Sequence, residues 1–136
     1  MKRNVLILLM LTLVLCFSGV ACQRKGVQPI DRTNTAIPAF GKFTKNQVRD
    51  AIIRGGSNIG WQMREEKPGL ILGTWATREN SVTVQIPYTE KEYVIKYHSS
   101  VNMLDNNDGL VHGNYNRWTE RLNRHITQEI SKMSKK

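Results

Sequence analysis

The chain has 136 residues, with 20 Lys or Arg against 11 Asp or Glu, a formal net charge of +9, and two cysteines. That length, once a leader is removed, is enough for one domain and excludes two. Two cysteines, one of them inside the leader, exclude a disulfide framework, and the positive balance points to anionic surroundings.

The first 21 residues have the three parts of a secretory signal peptide. Lys2 and Arg3 open it, Val5 to Phe17 is almost wholly apolar, and Ser18-Gly19-Val20-Ala21 is a small-residue exit. The apolar run is 13 residues long, shorter than the roughly 20 that a membrane-spanning helix needs. Cys16 leaves with this leader, and Cys22 becomes the first residue of the mature chain. Gly19-Val20-Ala21-Cys22 resembles the lipobox of bacterial lipoproteins, with Gly19 standing where Leu is usual. The resemblance implies a lipidated Cys22 and a membrane anchor of several acyl chains. Gln23, rather than Asp, after the cysteine implies sorting to the outer membrane, on its periplasmic face. The alternative is ordinary cleavage after Ala21, which leaves a soluble periplasmic protein with a free Cys22. Two bases and no acids precede residue 22, so the mature chain keeps a balance of +7. This suits attraction to anionic phospholipid or polysaccharide, and export removes the chain from nucleic acid.

Residues 22–42 read as a flexible tether, with Pro29, Pro38 and no sustained period; its apolar Ile30, Ile37 and Phe40 have the alternative of packing on the domain that follows, 43–136. Thr44 with Gln47 three residues later is a capping-box pattern. Val48, Ala51 and Ile52 supply an apolar stripe and Gly55-Gly56 a stop, which predicts a helix over Lys45–Arg54. Four strands are predicted next: Trp61–Glu65, Leu70–Thr77, Val82–Pro87 and Tyr93–His98. Val82, Val84 and Ile86 alternate with polar residues, and Lys67-Pro68-Gly69, Arg78-Glu79-Asn80-Ser81 and Thr89-Glu90-Lys91 are the turns. Connections this short favour an antiparallel meander. Ser99–Gly113 reads as irregular, with a turn at Asn106-Asn107-Asp108-Gly109. Tyr115, Trp118, Leu122, Ile126, Ile130 and Met133 then recur at spacings of three and four, predicting a helix from about Asn114 to Met133. The fold class expected is α+β, a four-stranded antiparallel meander with two helices on one face, in the order α-β-β-β-β-α.

Polar and aromatic residues concentrate where the last strand, the long loop and the last helix meet. Tyr97, Ser100, Asn102, His112, Tyr115, Asn116, Arg117 and Trp118 are the candidate binding residues, presented by a loop on a rigid scaffold. The structural alternative gives Asn114 to the helix cap, Tyr115 and Trp118 to the core, and a loop hydrogen bond to His112. His98 shares a strand face with Lys96 and is expected to be exposed. His98, His112 and His125 lack metal-ligand spacing, so no metal or other cofactor is expected. Ser100, His112 and Asp105 or Asp108 could be drawn as a triad, but no nucleophile elbow surrounds the serine.

Gly60-Trp61, Lys67-Pro68-Gly69, Tyr93-x-Ile95-x-Tyr97 with Ser100-x-Asn102, and His112-x-x-Tyr115-Asn116-x-Trp118 resemble a family of small, uncharacterised proteobacterial lipoproteins, over about Phe43 to Ile130. The resemblance implies compartment and fold and brings no catalytic residue. The expected function is a non-enzymatic envelope lipoprotein that binds another envelope protein or an anionic polymer. The alternatives are a small-ligand module with a pocket near Tyr97, His112 and Trp118, and a cell-wall hydrolase using Ser100 and His112.

Overall fold

The computed structural model describes residues 29, 32–37, 42–105 and 110–135. The signal peptide, Cys22 and the turn at 106–109 lie outside the described residues. In chain order the elements are β1 (Arg32–Ala36), α1 (Lys45–Ser57), β2 (Gln62–Lys67), β3 (Leu70–Ala76), β4 (Ser81–Pro87), β5 (Glu92–Val101), β6 (Leu104–Asp105), β7 (Leu110–Val111) and α2 (Tyr115–Met133). The expected α+β arrangement holds: β2 to β5 form an antiparallel meander framed by α1 and α2.

Several features depart from the sequence reading. The first is β1, inside the predicted tether. It pairs antiparallel with β5, giving a five-stranded sheet of order β1-β5-β4-β3-β2. Just beyond it, the Ile37 N–H donates to the Lys91 carbonyl at 2.8 Å and the Ile37 side chain is buried. An edge strand gains its order from main-chain bonds to its neighbour, so Arg-Thr-Asn-Thr-Ala needs no apolar alternation to belong to the sheet. The sheet therefore includes Arg32–Ala36, which the tether reading placed outside the domain.

The second is the end of α1. The capping box forms as predicted: the Thr44 N–H donates to Gln47 Oε1 (2.8 Å) and the Gln47 N–H to Thr44 Oγ1 (3.2 Å). Gly55 and Gly56 do not stop the helix; they are its buried face. A Cβ on Gly55 would lie 2.7 Å from the Ile126 Cα, so glycine is what lets α1 and α2 approach closely.

The third is β5, which runs through Val101 rather than ending at His98. Thr83 pairs with Ser99 and Val84 with Tyr97, so His98 is the extra residue of a bulge. The bulge turns His98 outward, exposed as expected, and lets Ser99–Val101 continue the ladder. Asn102, at φ 54, ends the strand in the left-handed region that Asn tolerates. Part of the loop expected to be irregular also pairs, as the two-residue hairpin β6–β7.

The core lies between the sheet and the helices. Val82, Val84 and Ile86 of β4 point into it with Ile71, Tyr93 and Ile95, and α2 contributes Tyr115, Thr119, Leu122, Ile126 and Ile130. Thr119 takes the fully buried position on α2 that the spacing gave to Trp118, which is half-buried. The Thr119 hydroxyl donates to the carbonyls of Tyr115 and Asn116 (3.2 and 3.1 Å), which removes the cost of burying it unpaired. The buried Tyr93 hydroxyl donates to Asn123 Oδ1 at 2.6 Å and lies 3.1 Å from Thr127 Oγ1, fixing α2 over β5.

Candidate functional site

The predicted binding residues converge at the end of the sheet where β3, β4 and β5 meet the start of α2. Register brings this about: Trp75 pairs with Val82, and Val82 with Ser100. Trp75 therefore stands on the helix-covered face beside the first turns of α2.

There the Trp118 ring contacts two others. Trp75 stacks on it at a centroid distance of 4.5 Å and an interplanar angle of 30°, and His112 stacks at 5.6 Å and 6°. Tyr97 meets Tyr115 edge to face at 5.6 Å and 81°. Such pairs contribute about 0.5–1.5 kcal/mol each beyond the area they bury, so the cluster is a rigid part of the fold. Trp75, Trp118, His112 and Tyr97 are all half-buried, and Arg117 beside them is exposed.

Hydrogen bonds fix the surroundings. Tyr97 Oη lies 2.9 Å from Ser100 Oγ. Asn102 Nδ2 donates to the Glu79 carbonyl at 2.7 Å, tying the end of β5 to the β3–β4 turn. His112 organises the entry to α2: its N–H donates to the Met103 carbonyl (2.9 Å), its carbonyl accepts from the Tyr115 N–H (2.8 Å), and its Nδ1 accepts from the Asn114 N–H (3.2 Å). Asn114 stands at the helix N-cap, but its side chain makes no capping bond; its own N–H is the group that donates to the His112 ring. Nδ1 is thus engaged within the loop that leads into α2.

Of the eight candidates, Tyr97, Ser100, His112, Tyr115 and Trp118 come together. Asn102 is exposed at the strand end, Asn116 is half-buried in the first turn of α2, and Arg117 lies at the exposed rim. Tyr115 is fully buried, so its side chain offers a macromolecular partner no surface and serves as core. Sequence reading missed Trp75, 37 positions before His112; the aromatic residue at the far end of the second strand was its only signal. Ser100 and His112 are bonded to Tyr97 and Asn114, respectively, not to each other. Among the described residues no group of three or more His, Cys, Asp or Glu side chains is placed to hold a metal ion, and no helix is long and apolar enough to cross a membrane.

A second polar cluster lies at the opposite end of the sheet. Tyr88 Oη donates to Glu65 Oε1 at 2.6 Å, and Arg49 Nη1 approaches Glu65 Oε2 at 3.6 Å. Burial, and then the bond to Glu65, pushes the Tyr88 phenol above its ordinary value. Each group has its partner, and the cluster joins α1 to the sheet.

No protein-family model matches the chain, and neither a curated protein nor a solved structure matches it.

Proposed function

We propose that the chain is a lipid-anchored, non-enzymatic domain of the bacterial envelope that binds another envelope component through the aromatic end of its sheet. Cys22 carries the anchor, and the outer membrane is its destination. The observation that carries this reading is the half-exposed stack of Trp75, Trp118 and His112 with Arg117 at its rim. Trp, Tyr and Arg are the residues that dominate protein-binding surfaces, because rigid rings lose little freedom when they are covered. The rings pack on one another into a stacked aromatic surface, which suits a macromolecular partner. The engaged Nδ1 of His112 and the Tyr97-bound Ser100 favour binding over hydrolysis.

The test is photo-crosslinking in cells that make the protein at its native level. A photoreactive amino acid replaces Arg117 at the rim or, as reference, Glu90 in the β4–β5 turn. Position 117 should give one discrete adduct, weakened by His112→Ala, while position 90 gives none. Equal adducts at both positions, or an adduct at 117 indifferent to His112→Ala, would remove the aromatic end as the binding surface.

A further inference from the structure

The outer side of α2 carries a feature that shares only Arg117 with the aromatic end. Arg117, Arg121, Arg124, Gln128, Lys132 and Lys135 follow one another at intervals of four, three, four, four and three, and all six are exposed. At 3.6 residues per turn this spacing is a single stripe. It lies opposite the buried stripe of Tyr115, Leu122, Ile126 and Ile130. Of the helix's two acids, Glu120 borders the stripe, and Glu129 accepts from Lys132 at 2.6 Å and from Arg54 at 3.3 Å. From Arg117 to Lys132 the stripe is about 22 Å long. It is therefore a row of four cations on the outside of α2, Lys132 among them paired with Glu129, continued by Lys135 just past the helix end, while the other side of the helix is fastened to the core.

Geometry adds a direction. β1 is the edge strand, and α2 packs beside it. The chain thus enters the domain along the flank of α2. Nine residues separate Cys22 from Arg32, a span of at most about 35 Å. A bilayer at the anchor would lie within reach of α2.

We propose that the basic face of α2 docks flat on an anionic phospholipid surface. A linear array of Lys and Arg matches the negative potential of such a layer, which acts within about a Debye length of the headgroups. The inference takes from the proposed anchor only the nearness of the membrane; the charge stripe stands without it.

The full-length chain, with its cysteines unchanged, is bound to vesicles of phosphatidylcholine alone or with phosphatidylglycerol. A fluorescent amino acid replaces Gln128 in the stripe or, as reference, Gln62, exposed on β2. Intact mass of the same sample reads the state of Cys22 separately, so failure of the anchor and failure of the docking face are told apart. With phosphatidylglycerol, the probe at 128 should become shielded from an aqueous neutral quencher while the probe at 62 stays open. The shielding should vanish in 1 M salt and in Arg121→Glu/Arg124→Glu/Lys132→Glu. The triple variant should also raise the lipid concentration needed for half-shielding, by roughly fivefold or more per reversed charge. Equal shielding at 128 and 62, the same shielding on phosphatidylcholine, or shielding given only by an acidic polysaccharide or protein would each overturn the proposal.

Discussion

Gly55→Ala should destabilise the protein, although Ala is the better helix former by about 1 kcal/mol. The added Cβ would lie 2.7 Å from Ile126 Cα, 2.8 Å from Ile126 N and 3.1 Å from the His125 carbonyl carbon. These are main-chain atoms of α2 and cannot rotate away. Ordinary carbon contact needs close to 4 Å, so the two helices must part by about 1 Å, loosening Ile52, Leu122 and Ile126 together. Overpacking of this kind costs about 1–3 kcal/mol, which outweighs the gain in helix propensity. Gly56→Ala is the internal control, since its Cβ would meet the Met63 side chain, whose unbranched chain can move. Urea unfolding should show a lower midpoint for Gly55→Ala at unchanged slope, and a midpoint for Gly56→Ala at or near that of the parent. Equal midpoints for the two variants, or a raised one for Gly55→Ala, would refute the close approach of the helices as the reason for glycine.

Other expectations follow from the same packing. Tyr93→Phe removes the hydroxyl that bonds to Asn123 and should cost about 1–2 kcal/mol in urea unfolding. Trp118→Ala should cost about 2–3 kcal/mol, less than for a fully buried Trp, and should abolish the near-ultraviolet dichroism of the stacked pair with Trp75. The Glu129 carboxyl is held below its ordinary value by its bond to Lys132, against the opposing effect of burial, with Arg54 assisting. Its contribution is therefore complete above the ordinary carboxylate range and is lost as pH falls through the lowered folded-state value. Glu129→Gln should lower stability by up to about 1 kcal/mol at neutral pH and flatten the acid limb of the pH–stability curve; an unchanged acid limb would contradict the assignment.

The elements that rest on their own residues were legible in the sequence. The alternation of Val82, Val84 and Ile86 gave β4, the Thr44 and Gln47 pattern gave the start of α1, and the three-and-four spacing gave α2. What escaped reading depends on distant partners. Gly55-Gly56 has the look of a helix stop until Ile126, seventy positions on, lies across it. The polar run Arg32–Ala36 carries no period because its order comes from the open edge of β5. The bulge at His98 depends on register with β4 and shifts which of Ser99, Ser100 and Val101 faces inward. For the same reason the candidate site was located by its β5 and α2 residues but lacked Trp75, which only strand pairing delivers to Trp118.

The most direct test of the envelope-anchored account is the intact mass of the mature protein purified from its native membrane fraction, with Cys22→Ser alongside. The account predicts a mass above that of the 22–136 polypeptide by a diacylglycerol and a further acyl chain, and loss of that increment and of membrane retention in the variant. An unmodified polypeptide mass with a free or disulfide-linked Cys22 would contradict it.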